Sequence, residues 1–307
     1  MTSLFTTTIG WRRCALVLVI FLFGSTEVIA AALVIEPPAV TLNRGDATTL
    51  TVRLNVNSPD CINAVEGVIR YDPAAPPIDI SLGESIFPLW VQTPTINTER
   101  NQIEFAGGIP NGYCGRVQGD PQITNTLFKI IVRSPGMVVS DGSDMDRESE
   151  YEFTTETVAY LNDGRGTLVP LETYGSTVTL GDAPGATLQD PWRDEVTADT
   201  IPPEEFSIFL EQNPSMFGGR YYISFNTTDK QTGIDSYQVM EEPLETFGAF
   251  AWGRADAPWI TTRSPYPLKD QSLNSIIRVR AIDKAGNEYV ATLLPDDSLR
   301  GYDQTTI

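Results

Sequence analysis

The sequence predicts an all-β chain built from two β-sandwiches. Three observations carry the prediction. Apolar and polar residues alternate with a period of two through run after run. Clusters of Gly, Pro, Asn and Asp close these runs at intervals of about eight to twelve residues. No window of a dozen residues sustains the i, i+3, i+4 spacing of an amphipathic helix. The 307 residues suffice for two ordinary domains, and 41% apolar with 9% aromatic residues is enough to fill their cores.

Residues 1–30 read as an address. Arg12 and Arg13 form a positive n-region, and Cys14 to Phe23 is an apolar run about half the ~20 residues a bilayer span needs. Val28-Ile29-Ala30 then offers small residues at the −3 and −1 positions, so a signal peptide cleaved after Ala30 or Ala31 is expected. The alternative is an uncleaved N-terminal anchor, with Glu27 against it. Export leaves Cys61 and Cys114 as the mature chain's cysteines. In an oxidising compartment two cysteines make one candidate disulfide; a metal site on two thiols without CxxC spacing is the weaker alternative.

The mature chain is then read in order. Leu50, Val52, Leu54 and Val56 alternate with Thr51, Arg53 and Asn55, a half-buried strand. Val65, Gly67, Ile69 and Tyr71 alternate with Glu66, Val68 and Arg70, and Ile103 and Phe105 with Gln102 and Glu104. Leu127 to Val132 is nearly all apolar, as in a central strand covered on both faces. Turn chemistry separates these runs at Asn43-Arg44-Gly45-Asp46, Asp72-Pro73, Gly107-Gly108 and Asn162-Asp163-Gly164. A second block repeats the pattern: Tyr221, Ile223 and Phe225, then Ile277, Val279 and Ala281, with a hairpin at Asp283 to Asn287. Between the blocks, Pro184, Pro191, Pro202 and Pro203 argue against a strand. The expected domains are therefore 32–182 and 201–296, with a linker at 183–200 and a polar tail at 297–307.

Charge and chemistry narrow the function. Lys plus Arg is 21 against 40 for Asp plus Glu, a net charge of −19, which disfavours a nucleic-acid partner. The chain has no histidine, which removes Ser-His and Cys-His mechanisms and imidazole-ligated metals. No pair of carboxylates stands out for glycoside hydrolysis, so the chain is read as non-catalytic.

With its strands placed, residues 32–182 resemble a cohesin, the dockerin-receiving sandwich of cellulosome scaffolds, itself related to carbohydrate-binding modules. The motifs are Tyr71-Asp72-Pro73, Ile103-Glu104-Phe105-Ala106-Gly107-Gly108, Asn111-Gly112-Tyr113-Cys114-Gly115, Leu127-Phe128-Lys129-Ile130 and Leu161-Asn162-Asp163-Gly164, in that order. Pro76-Pro77 and a long acidic loop from Met137 to Glu150 depart from the pattern. The resemblance implies a jelly-roll sandwich with one sheet as a binding platform. Residues 201–296 resemble a fibronectin type III or bacterial immunoglobulin-like module, through Asp199-Thr200-Ile201-Pro202-Pro203, Thr228-Asp229-Lys230, Gly233-Ile234-Asp235 and Ala285-Gly286-Asn287. That resemblance implies a spacer or adhesion unit.

Candidate sites follow. A partner-binding face is expected at Glu66, Val68, Arg70, Gln102 and Glu104, with Val68 as the apolar anchor; the plainer reading is an ordinary solvated face. Trp90 and Tyr113 are candidates for stacking on sugar rings, or else core packing. Asp141, Asp144, Asp146 and Glu148 would form a Ca²⁺ loop, but EF-hand spacing is missing and a solvated acidic loop is the favoured reading. Asp199, Asp229 and Asp283 either gather at a domain edge around calcium or serve as turn residues. No other cofactor is expected. The sequence thus points to a secreted or cell-surface protein binding a dockerin-like protein, with extracellular polysaccharide as the alternative partner.

Overall fold

The computed structural model describes residues 31–56, 61–116, 125–134, 147–184, 189–247, 250–253 and 257–295. The expected signal segment, most of the acidic loop and the tail lie outside the described residues. What is described is strand-dominated, as the alternation requires.

The first unit comprises β1 (Ala31–Glu36), β2 (Ala39–Arg44), β3 (Ala47–Val56), β4 (Ile62–Tyr71), β5 (Pro77–Ser81) and β6 (Leu89–Asn97). It continues with β7 (Gln102–Tyr113), β8 (Thr126–Arg133), β9 (Arg147–Phe153), β10 (Val158–Leu161), β11 (Leu171–Tyr174) and β12 (Ser176–Pro184). A five-stranded sheet runs β11-β1-β3-β8-β5, and a seven-stranded sheet runs β2-β12-β9-β4-β7-β6 with β10 also on β4. Their inner faces share one core of alternating residues: Leu50, Val52 and Leu54 from β3, Val65 and Ile69 from β4, Ile103 and Phe105 from β7. Phe105 meets Phe128 edge-on at 4.9 Å. Gly67 is required here, because a Cβ at that position would lie 2.6 Å from the Phe105 ring. The Cys61–Cys114 disulfide forms, closing one end of the β4–β7 ribbon.

β8 is buried along nearly its whole length, Lys129 included. Lys129 is covered in part by the segment expected to be a linker. Residues Pro191–Ala198 form helix α1, N-capped by Asp190, whose Oδ1 accepts from the Arg193 amide at 3.0 Å, with Pro191 opening the first turn. At eight residues the helix is too short to display periodicity. Its Trp192 is buried. Lys129 pairs with Glu195 of α1 and with Glu84 at 3.0 Å, and Arg133 pairs with Asp190 at 2.7 Å. The Ala47 amide donates to Gln189 O at 2.8 Å and Asp46 Oδ1 accepts from the Gln189 amide at 3.0 Å. The linker is therefore docked against the first sandwich.

The second unit holds β13 (Phe209–Gln212), β14 (Tyr221–Ser224), β15 (Ile234–Phe247), β16 (Phe250–Gly253), β17 (Ile260–Thr262), β18 (Tyr266–Pro267), β19 (Ser275–Asp283) and β20 (Glu288–Leu293). A three-stranded sheet, β13-β14-β18, faces a five-stranded one, β16-β15-β19-β20 with β17 on β15. Ile223, Phe225, Val239, Ile277 and Val279 fill the space between them. The β19–β20 hairpin turns at Gly286, whose φ of 89° is one that glycine adopts freely.

The two sandwiches touch. Gly83, just after β5, lies so close to the loop before β15 that a Cβ there would stand 1.9 Å from Gln231 O. Ser81 Oγ donates to Thr232 O at 2.5 Å, and Lys284 Nζ pairs with Asp79 at 2.7 Å.

Candidate functional site

The outer face of the seven-stranded sheet collects the residues expected to form the partner face. Register sets Val68 opposite Glu104, Arg70 opposite Gln102, and Glu66 opposite Ala106 across β4 and β7. With a period of two, all five predicted residues share the side away from the core. Arg70 reaches Glu152 of β9 at 3.5 Å, while Gln92 of β6 donates to Glu104 at 3.2 Å and Arg100 lies 3.8 Å from the same carboxylate. Beyond Arg70, the exposed Glu148, Glu150 and Glu152 and Asp72 border a cleft of about 340 Å³. One end of the face is therefore acidic.

The opposite end is apolar. Ala64 faces Tyr160, Glu66 faces Val158, and Leu89 of β6 pairs with Gly108. Leu89 is 53% exposed and Val91 is 94% exposed. Val68, the expected anchor, is only half-buried, and its backbone is held by the Thr154 amide at 2.8 Å and by Thr157 Oγ1 at 3.3 Å. Leu89 and Val91 are the more accessible apolar groups, and alternation does not assign Val91 a face. β6 slips register between Trp90 and Gln92 and again before Thr95, so its pattern is broken where Val91 sits.

Trp90 and Tyr113 take up the core-packing alternative. Trp90 turns inward, 5.6 Å from the Phe87 ring and 6.3 Å from Phe128, and a Cβ on Gly107 would strike its indole at 2.5 Å. Tyr113 likewise packs against the core cluster. Trp90 pairs with inward Gly107, and its neighbour Leu89 pairs with Gly108 and faces out. Of the proposed calcium loop, Asp141, Asp144 and Asp146 lie outside the described residues, and Glu148 belongs to β9. Below the same sheet, Tyr151 is stacked on Tyr71 at 5.8 Å and donates to Ala75 O at 2.6 Å. Burial, then the neighbouring Tyr71, pushes its phenol well above the usual range.

The three remaining aspartates do gather. Asp199 ends α1, Asp229 opens the loop before β15, and Asp283 closes β19; one carboxylate oxygen from each lies within 4.8 Å of the others. They are 5%, 3% and 2% exposed, so they form a buried cluster beside the contact between the sandwiches. Each also acts as a turn residue. Asp229 Oδ1 accepts from the Gln231, Thr232 and Gly233 amides at 2.8–3.0 Å, and Asp283 Oδ1 from Ala285 and Asn287 at 2.8 Å. Asp199 Oδ1 accepts from Ile201, and its Oδ2 from Thr232 Oγ1 at 2.6 Å. Burial raises the Asp229 carboxyl above its ordinary value against the pull of its amide donors, and the Asp199 charge adds to the rise.

No family model and no curated protein matches the chain. Among solved structures its neighbours are cohesins. One is a type I cohesin–dockerin complex, Coh-OlpC–Doc435 from Clostridium thermocellum, at 15% identity over 52% of this chain and 97% of that one, with a TM-score of 0.42. Another is a non-cellulosomal cohesin from the archaeon Archaeoglobus fulgidus, at 15% identity, 50% and 91% coverage and a TM-score of 0.37. A third is the seventh ScaB type I cohesin of Pseudobacteroides cellulosolvens, at 15% identity, 52% and 97% coverage and a TM-score of 0.39.

Proposed function

We propose that the chain is an exported, non-catalytic surface or scaffold protein whose first sandwich docks a dockerin-type protein on the outer face of the seven-stranded sheet. The second sandwich serves as a spacer of immunoglobulin or fibronectin type. The observation that supports this best is the face itself: Glu66, Val68, Arg70, Gln102 and Glu104 in cross-strand register, between exposed Leu89 and Val91 and a carboxylate-rich end. A flat sheet with apolar anchors inside a polar rim is what a protein partner requires. The acidic end favours a partner that brings Lys or Arg, so association should weaken with salt. The cysteine pairing fits an oxidising compartment. The inward packing of Trp90 and Tyr113 favours the protein partner over the polysaccharide reading.

The experiment is capture from the organism's own secretome by the immobilised mature chain, repeated with Val91→Asp, Leu89→Asp and Val68→Asp. Burying a valine is worth about 1.5–3 kcal/mol, so Val91→Asp is expected to weaken binding on the order of tenfold or more. Val68→Asp should cost less, because that side chain has less surface to lose. Capture unchanged in both edge variants would refute this face. Retardation of the wild-type chain in polysaccharide affinity gels would replace the protein partner with a glycan.

A further inference from the structure

We infer that Asp199, Asp229 and Asp283 form a binding site for a hard divalent cation of the calcium class, placed where it locks the joint between the two sandwiches. Three aspartates from segments far apart in sequence are each at least nine-tenths buried and converge to within 4.8 Å. Oxygens sharing one Ca²⁺ shell, at 2.3–2.6 Å from the ion, lie at most roughly 4.6–5.2 Å apart, so the spacing fits. Buried carboxylates need a counter-charge, because unpaired charge in a dry site is costly. The neighbouring lysines are committed elsewhere: Lys284 to Asp79 at 2.7 Å and Lys230 to Glu204.

A second observation points to a ligand. Asp229 is 3% exposed; its Oδ1 is saturated by three amides, yet its Oδ2 is sealed from solvent with no hydrogen-bond partner. A cation in the cluster would supply the missing partner. Donor chemistry selects the ion. The chain has no histidine and the two cysteines of the described residues are tied in a disulfide, so the cluster offers hard oxygens alone.

The position gives the ion a consequence. Asp199 is the C-cap of α1, which is pinned to the first sandwich. Asp229 and Asp283 start the two loops whose backbone and Lys284 meet β5 and Gly83 of that sandwich. One ion would therefore hold the linker's end and both contacting loops as a unit.

The test uses the full mature chain, stripped with EDTA and titrated with CaCl2 under calorimetry. One calcium per chain is expected. At about 100-fold excess over Kd the second sandwich's thermal transition should rise by roughly 10 °C, reversed by EDTA. Magnesium at equal concentration should do much less, being smaller and slower to shed water. Asp229→Asn should weaken calcium binding at least 100-fold while leaving a chain that folds in EDTA; Asp199→Asn is the second variant should that one fail to fold. Val91→Asp should keep the full calcium shift, which separates this site from the partner face. No calcium heat in the wild type, or a calcium shift that survives Asp229→Asn or Asp199→Asn, would overturn the inference.

Discussion

Gly83→Ala tests whether the two sandwiches form one jointed body. Gly83 does not need glycine's left-handed freedom, so alanine is acceptable to its own backbone. What it lacks is room. The new methyl would sit 1.9 Å from Gln231 O and 2.7 Å from the Gln231 carbonyl carbon, both main-chain atoms of the other sandwich. Ordinary contacts sit near 3.5 Å, so the loop must withdraw by roughly 1.5 Å, and no side-chain rotamer can absorb that. The retreat breaks the 2.5 Å bond from Ser81 Oγ to Thr232 O, worth about 1 kcal/mol, and strains the half-exposed Lys284–Asp79 pair, worth about 0.5 kcal/mol. For a domain of this size each kcal/mol moves Tm by roughly 4–8 °C, so the second sandwich should melt about 5–10 °C lower. The first sandwich should melt as before. Differential scanning calorimetry reads the two transitions, and X-ray scattering reads the spread of angles between the sandwiches. Ser81→Ala, which deletes only the hydrogen bond, should give a smaller shift of the same sign. Transitions and scattering identical to wild type in Gly83→Ala would refute the jointed arrangement.

Two further outcomes follow from single sites. Cys61→Ser with Cys114→Ser opens a loop of sequence separation 53 and is expected to cost about 4 kcal/mol in the chain-entropy model, read by urea unfolding of the first sandwich. Asp270 is a pH-sensitive group of the second sandwich. Burial pulls its carboxyl upward, but donors from Ser272, Asn274 and Ser275 outweigh burial and hold it below the ordinary value. A depressed carboxyl contributes stability above its unfolded pKa and loses it as pH falls through the folded one. Asp270→Ala should therefore lower Tm at neutral pH by more than it does near pH 3; an equal loss at both would contradict the assignment.

The strands were legible because their physics is local. Leu50, Val52 and Leu54 are buried in alternation because a pleated strand packed on one side leaves no other choice, and the all-apolar Leu127–Val132 run is buried through and through. Helix α1 was hidden by its brevity, although Asp190-Pro191 is a capping signal that reading for caps before periodicity would have found. Its docking on Lys129 was invisible for a different reason: an apolar run says that a strand is covered, not what covers it. Val91 carries no signal at all, since a bulge erases the period that would assign it a face.

The aspartates mark where composition stops being informative. Asp before a turn is the ordinary residue for that place, since one carboxylate oxygen can gather the loop's amides. Asp229 does that with Oδ1 and leaves Oδ2 sealed inside the protein. The same residue type thus answers to two requirements, and the sequence displays only the first. The second depends on burial and on meeting Asp199 and Asp283, which lie about 30 and 54 positions away and are brought together by packing between the linker, β15 and β19. A turn aspartate on the surface could exchange for asparagine with little loss. Within this cluster the same exchange removes negative charge from a site that has carboxylates in excess, so calcium-free stability should hold or rise while the response to calcium disappears. A purely architectural role for Asp229 predicts no change in the calcium response, and that opposition lets one substitution separate a turn from a ligand.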